Sequence, residues 1–599
     1  MSKGRKRIFT VFVFVAVILL AGVFLLLEKR SDIEEGAGQS PMESISFYHN
    51  DARGIRLCDT TLDNVYNLFV PGFARNELYL SCPSSMSIIV DGAAVLHNGD
   101  EISQHVTNVS DEGLPYIAVR ILSSGDREIF SGYINFFYTG DMPAVFITAP
   151  AADIEEINAE NSEKGEEKLH SKGIMTVVDE DGREDITSDV DISRRGNTSF
   201  LHMDPKPYNI NLSKPLSILG MRSGTKYALK ANSYDMNHLL RNEAAFDLAR
   251  MTGMPAVCDT RFADLYINGE YNGVYLICSR IRGDELLSLG TTGYLMELDY
   301  RYKAEPCSFE SHDQGIVVHY PEYLTEEQLS YIRDRYETAY TAVQEDGNYE
   351  DYIDVDSFVK MYIIQDFFCN VDVDYASFYF YLGTDGLFHA GPVWDLDLST
   401  GIMQTLPFHE ELAKRSHIIP DRGGIFLDML MESKRFRDRT KEYYLDEFMP
   451  MLDSYTEGVL IEKGEKIRQS LETSDIKKRF HFSDLHSLDS AEGLSEWMTD
   501  RGEFLKGYYE AEDEYVDIMF HFAWGEIRTL AKKGEPIGYL PDSHLPDNDE
   551  AFWGEVTGFV TEDGVAVDED FAPVEDMTLY AVYSEDSHAL EEGYVNITQ

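Results

Sequence analysis

Asn370-Val-Asp-Val-Asp-Tyr-Ala-Ser377 runs into Phe378-Tyr-Phe-Tyr381, and Gly391-Pro-Val-Trp-Asp-Leu-Asp397 follows shortly after. The aromatic run predicts a strand, and Asp385-Gly386 predicts the tight turn of a hairpin. Folding that hairpin brings two acidic clusters to one end: Asp372 and Asp374 before it, Asp395 and Asp397 after it. Clustered carboxylates with hydroxyl or amide neighbours suit a hard cation such as Mg²⁺ bound together with substrate phosphates. Any one of these acids could simply cap a turn. Four of them embedded among Phe, Tyr, Trp and Val point instead to a site. Carboxylates this close repel one another unless a cation offsets them. Asp395→Asn is therefore expected to be neutral or stabilising when metal is absent.

On the N-terminal side stand Arg194-Arg-Gly-Asn-Thr-Ser199, Lys206-Pro-Tyr-Asn-Ile210 and Lys226-Tyr-Ala-Leu-Lys-Ala-Asn232. A helix is predicted next, with Asp235 as N-cap, Leu239, Leu240, Phe246 and Leu248 on its apolar face, and Gly253 with Pro255 as its stop. Arg241-Asn242 falls inside it. A second hairpin joins Ala263-Asp-Leu-Tyr-Ile267 to Val274-Tyr-Leu-Ile-Cys278 through Asn268-Gly269. Between about 174 and 525 strands come first and helices later, the α+β order of a two-lobed enzyme.

The flanks have a different character. Lys3, Arg5, Lys6 and Arg7 precede an apolar run from Ile8 to Leu27, closed by Glu28, Lys29 and Arg30. Such a run matches a bilayer core, and the basic cluster keeps its own side cytoplasmic. Residues 1–30 are thus expected to be an uncleaved signal-anchor transmembrane helix rather than a cleaved leader, with the body extracytoplasmic. Residues 31–43 are a polar linker. Residues 44–140 alternate between short strands and turns, the pattern of a β-sandwich module. A charged insertion, Asp153 to Lys172, has the composition of a solvated loop or surface helix. The 599-residue chain carries 51 basic against 106 acidic residues, a net charge of −55, which argues for several domains and against a nucleic-acid partner. Six cysteines are too few for a disulfide scaffold. Cys58 and Cys82 fall in one β-region and could pair, whereas Cys258, Cys278, Cys307 and Cys369 are expected to be free thiols.

Taken in order, these segments resemble the CotH family of atypical, spore-coat-type protein kinases over residues 145–525. The resemblance is carried by Arg195-Gly-Asn-Thr-Ser199, the Lys206-Pro-Tyr segment, Leu229-Lys-Ala-Asn232 with Asp235 and Arg241-Asn242, Asp264-Leu-Tyr-Ile-Asn-Gly269 with Gly273-Val-Tyr275, Gly293-Tyr-Leu-Met-Glu-Leu-Asp299, and Pro392-Val-Trp-Asp-Leu-Asp397. It implies a protein-kinase-like fold that uses ATP with Mg²⁺ or Mn²⁺ to phosphorylate Ser or Thr of a protein, one that is basic if it complements this acidic surface. Asp372 stands five residues before Ser377, the offset of the catalytic Asp and metal-binding Asn in ordinary kinases, and becomes the candidate base. Asp395 becomes the metal ligand, with Asp397 as a second. Ser377 stands where the usual metal-binding Asn does, so it is a weaker metal ligand or is replaced by Asn370 or Asp374. Arg195, Gly196 and Asn197 form a candidate phosphate segment, Gly196 allowing close backbone approach. Lys230 matches the phosphate lysine by topology, with Lys206 in competition. Glu243 is either the ion-pair partner of Lys230 or a surface acid.

Downstream, Glu575-Asp-Met-Thr-Leu-Tyr-Ala-Val-Tyr583, with Gly538-Tyr-Leu-Pro541 and the Asp563-Gly564 turn, resembles a Listeria–Bacteroides type repeat, a small β-grasp-like module, over residues 527–583. Phe552-Trp553-Gly554 departs from that family's order, and residues 584–599 form an acidic tail. Two functions compete. One is an extracytoplasmic membrane-anchored kinase. The other is a cell-surface adhesion or wall-associated protein that uses an inactive domain of this kind as scaffold.

Overall fold

A computed structural model describes residues 40–49, 54–59, 64–160, 168–196, 200, 205–231, 240–370, 372–373, 376–397, 399–401, 413–415, 425–481, 490–523, 525–541, 556–584, 589 and 595–596. The apolar run expected to be a membrane anchor lies outside these residues. Among the described residues no helix is long and apolar enough to cross a membrane.

The chain divides into two compact units, one ending at Phe137 and one running from Tyr138 onward with Pro71–Phe73 added. The first unit contains a three-stranded sheet, in the order Ile55–Arg56, Ser46–Tyr48, Tyr79–Ser81, and a seven-stranded sheet. Cys58 and Cys82 do not pair there. None of the six forms a disulfide; Cys58, Cys82, Cys258, Cys278 and Cys369 are buried, and Cys307 is half-buried.

The second unit opens with a closed seven-stranded barrel. Its strands follow the order Ala144–Thr148, His170–Val178, Glu184–Arg194, Tyr208–Leu216, Gly224–Ala231, Glu270–Ser279 and Thr260–Ile267, and parallel pairing of the first with the last closes it. Strand alternation explains the layering. Tyr227 and Leu229 join Val190, Ile192, Ile210, Leu265 and Ile277 in the barrel interior. Their neighbour Ala228, with Val274, Leu276 and Cys278, faces outward and packs against Leu240, Phe246 and Leu248 of the helix Leu240–Met251. The hairpin expected at Asn268-Gly269 forms, with φ 52° at Asn268 and φ 87° at Gly269. Positive φ at both positions fits the right-handed twist of the two strands.

Beyond the barrel, a five-stranded sheet runs Ser308–Ser311, Gln314–Tyr320, Tyr294–Leu298, Phe378–Leu382, Phe388–Ala390. It packs on a helical layer whose central member, Val355–Phe367, is buried on nearly every face. Two long helices, Leu460–His481 and Ala491–Glu510, follow. A final five-stranded sheet is ordered Gly525–Lys532, Tyr515–Phe522, Met577–Tyr583, Val556–Thr561, Ala566–Val567, and its two central strands are parallel.

Candidate functional site

Strand Gly224–Ala231 places Lys226, Ala228 and Lys230 on one face, outside the barrel. Lys230 is only 3% exposed, so its ammonium needs a partner. It donates to Asp395 Oδ1 at 2.5 Å and to Asn242 Oδ1 at 3.0 Å. Alternation likewise divides the arginine pair at the end of strand Glu184–Arg194. Arg194 turns inward to Glu160 at 3.0 Å, whereas Arg195 reaches Asp395 Oδ1 at 3.2 Å. Both cations stand over the Trp394 ring, Lys230 at 5.1 Å and Arg195 at 5.4 Å from its centroid.

Asp395 itself has φ 61°, a conformation costly for a residue with a Cβ and held only where surroundings over-determine it. Here the helix Leu240–Met251 does so. Asn242 Oδ1 accepts the Leu396 N–H at 3.0 Å, and the buried Arg241 donates from Nε to Thr400 Oγ1. Ser399 closes the turn by donating to the Leu396 carbonyl at 2.7 Å. Burial opposes the charge on Asp395, but Lys230 and Arg195 outweigh it and hold the carboxyl far below the ordinary range. Its side chain remains 29% exposed, so the ionised group is within reach of solvent. Asp397 lies near enough to join Asp395 in raising Arg195 against its burial. Behind the strand, burial pushes the Cys278 thiol up to about 12 despite the nearby Lys230 and Arg195, so it is a neutral wall.

The hairpin predicted around Asp385-Gly386 is present, with Phe380 opposite Ala390 and Leu382 opposite Phe388. Both acid-bearing segments leave its open end. On one side the Asp372 N–H donates to Asn370 Oδ1 at 3.2 Å, and the Asp372 carbonyl accepts from Ala376 N at 3.2 Å. Ser377, with φ 61°, then enters the strand. Asp374 lies outside the described residues, as does Asn197.

Three expectations need correction. Asn370 is not placed to bind a metal: it is buried, and its amide bridges Gln365 at 2.7 Å and the Asp372 N–H, fixing the loop. Glu243 is neither a surface acid nor the partner of Lys230. It is 4% exposed and pairs with Lys463 of helix Leu460–His481. Lys206 does not contest Lys230, because its ammonium donates to the Phe200 carbonyl at 2.7 Å and lies 5.5 Å from that ring, bracing its own loop. Gly196 has φ 78°, a backbone that suits glycine, next to the Arg195 contact.

Asn242 and Trp394 were quoted in the motifs without a role, yet they organise the site. An Asn inside a helix, where it has poor propensity, was the available signal for the first. A family model described as CotH kinase protein matches residues 192–505, just over half of the 599-residue chain. No curated protein matches it. The matched span begins in the strand that presents Arg195 and includes Lys230, Asn242, Asp372 and Asp395, so the chain belongs to the CotH kinase family.

Proposed function

We propose that this protein is an ATP-dependent protein kinase that phosphorylates Ser or Thr hydroxyls. The observation that carries this is the buried Lys230 joined to the ionised Asp395 on the Trp394 face, with Asn242 accepting from Lys230 and from the Leu396 N–H that follows Asp395. Phosphoryl transfer is mostly positioning and charge neutralisation, and a lysine beside a metal-binding Asp supplies the protein's share. Asp395 and Asp397, on one turn with the first half-exposed and charged, suit a hard divalent cation, which takes one or two carboxylates and completes its shell with phosphate oxygens and water. Among the described residues no group of three His, Cys, Asp or Glu is gathered for a metal. Mg²⁺ or Mn²⁺ would neutralise charge developing on the transferred group. Lys230 and Arg195 orient the phosphates, Gly196 gives them backbone access, and Asp372 accepts the proton of the attacking hydroxyl.

The N-terminal apolar run supports a single-pass anchor with the body outside the cytoplasm, tested by protease added to intact cells: an uncut body with active protease would refute it. The C-terminal sheet is proposed as the Listeria–Bacteroides type repeat. Incubation of the full chain with labelled ATP, Mg²⁺ or Mn²⁺ and a Ser-rich basic peptide tests the kinase. Label on serine is expected, with Asp372→Asn reducing transfer by about 10²–10⁴-fold while nucleotide still binds. Wild-type chain that binds no ATP would favour the surface scaffold instead.

A further inference from the structure

The family match stops at residue 505, so the sheet formed within residues 515–583 lies beyond the matched kinase domain. Strand Gly525–Lys532 forms one edge of that sheet. An edge strand leaves outward N–H and C=O groups without a ladder partner. Here the Leu530 N–H donates at 2.8 Å to the carbonyl of Arg415, which lies between the Asp395 turn and helix Leu427–Glu432. The Arg415 guanidinium donates in turn to the Ile537 carbonyl. Gly538, with φ 72°, leaves room for it, because a Cβ there would stand 3.1 Å from Nη1.

The same three residues, 413–415, also meet the foot of the Asp372 loop. The Ala413 carbonyl accepts from the Cys369 thiol at 3.0 Å, and the Lys414 carbonyl accepts from Arg501 Nη1 at 3.0 Å. Burial pushes that thiol up to about 11, so it keeps the proton it donates. Arg501 is fully buried, and its Nη2 donates to the Asp366 carbonyl at 3.0 Å. One guanidinium thus joins Lys414 to the last turn of helix Val355–Phe367. Cys369 has φ 49°, a costly backbone for a residue with a Cβ, and it persists only where the surroundings over-determine it. It directly precedes Asn370, whose side chain accepts the Asp372 N–H. One residue earlier, the Phe368 carbonyl accepts from Thr400 N at 2.6 Å, which ties the end of the acid turn to the same point.

We propose that the C-terminal sheet is a positioning element of the kinase site: through Arg415 it holds residues 413–415 against Cys369 and Arg501, and so fixes the loop that carries Asp372. The effect on transfer rests on the kinase reading, whereas the brace is a matter of packing alone. The sheet then serves a site in its own chain rather than a separate ligand.

Hydrogen exchange of the full chain, read by mass spectrometry beside phosphoryl transfer, tests this. Arg415→Ala should speed exchange at least tenfold in peptides covering residues 366–373. Arg415→Lys, which can still donate to the Ile537 carbonyl, should restore most of the protection. Leu530→Pro deletes the other donor at an edge position where proline is tolerated, and should have the same effect as Arg415→Ala. Lys532→Ala, which removes only an exposed ion pair with Glu535 on the same strand, should leave exchange in those peptides unchanged. In the transfer assay Arg415→Ala should lower kcat at least fivefold with the KM for ATP within twofold, and Arg415→Lys should recover it. A merely structural contact would lower the melting temperature and leave kcat alone. Wild-type exchange over 366–373 in both Arg415→Ala and Leu530→Pro overturns the proposal, and so does faster exchange there with kcat unchanged. If the wild-type chain transfers no phosphate the kinase reading falls, while the exchange result still decides whether the sheet holds the loop.

Discussion

Lys230 and Lys463 meet consecutive residues of one helix, yet their surroundings differ in charge. Lys230 shares one carboxylate, Asp395, with Arg195, and its second partner is the neutral amide of Asn242. Lys463 faces two carboxylates, Glu243 and Asp247. The first cluster therefore holds two cations against one directly bonded acid, whereas the second, where Arg250 also pairs with Asp247 at 2.6 Å, sets two cations against two acids. Adjacent helix residues project about 100° apart, so Asn242 and Glu243 necessarily face different neighbours. The cationic excess lies where phosphates would bind. The second cluster locks helix Leu240–Met251 to helix Leu460–His481, and its two acids raise Lys463 in spite of its burial.

The strongest way to break this comparison is to replace each lysine by Met. Lys230→Met is expected to cut phosphoryl transfer by about 10²–10³-fold, the usual consequence of losing one aimed charge in an active site. Lys463→Met should leave the rate within about threefold but destabilise the fold by about 2 kcal/mol, because it strands the buried Glu243 and leaves Asp247 to Arg250 alone. Transfer rates with melts for both variants decide the matter. Equal loss of rate in the two would mean that Lys463 also serves the chemistry.

A smaller effect sharpens the Asp395 side. From sequence, Asp395→Asn was expected to be neutral or stabilising, as relief of crowding among carboxylates. Its nearest charged groups are Lys230 and Arg195, so the same change removes their common acceptor and is expected to destabilise by about 3 kcal/mol. Denaturant unfolding without metal measures this. A midpoint at or above wild type would restore the crowded-acid picture. The folded pKa of Asp395 is depressed, so its contribution is present at neutral pH and lost as pH falls through the ordinary carboxylate range toward that lower value.

Why Glu243 and the surroundings of Asp395 were misjudged follows from what a sequence encodes locally. The Asn268-Gly269 and Asp385-Gly386 turns fix hairpin register through backbone conformation, and alternation along Gly224–Ala231 puts Lys226 and Lys230 on the same face. The order of motifs was enough to place the chain in its family. Partner choice for a buried charge is not local. Lys463 lies 220 residues from Glu243, within a helix whose sequence carries no catalytic pattern. The exchange of Glu243 for Asn242 beside Lys230 depends on the rotation of a helix whose start is not marked closely enough to predict one residue's azimuth.

Helix Leu460–His481 offers one further and weaker test, because it meets a third acid that no cation bonds among the described residues. Asp264 is fully buried and accepts from the Tyr271 hydroxyl at 2.9 Å and the Ser470 hydroxyl at 3.2 Å. Burial pushes its carboxyl up to about 7, only partly countered by donation from Thr139, Tyr271 and Ser470. Neutral donors soften the desolvation of a carboxylate but do not cancel it, whereas Lys463 supplies a full charge to Glu243 and Asp247. The sign follows from proton counting. Between the ordinary Asp value and about 7 the folded state keeps a proton that the unfolded state has released, so stability is greatest at acidic pH and falls as pH rises through that window. Between about pH 5.5 and pH 7 the loss should be roughly 2 kcal/mol from this group. Asp264→Asn keeps the shape and cannot ionise, so its melting temperature should change less across the same range. The difference between wild type and variant at each pH isolates Asp264 from every other titrating group. Parallel curves would show that its hydroxyl donors stabilise the carboxylate as well as a lysine does, and the distinction between the charged and neutral faces of this helix would fail.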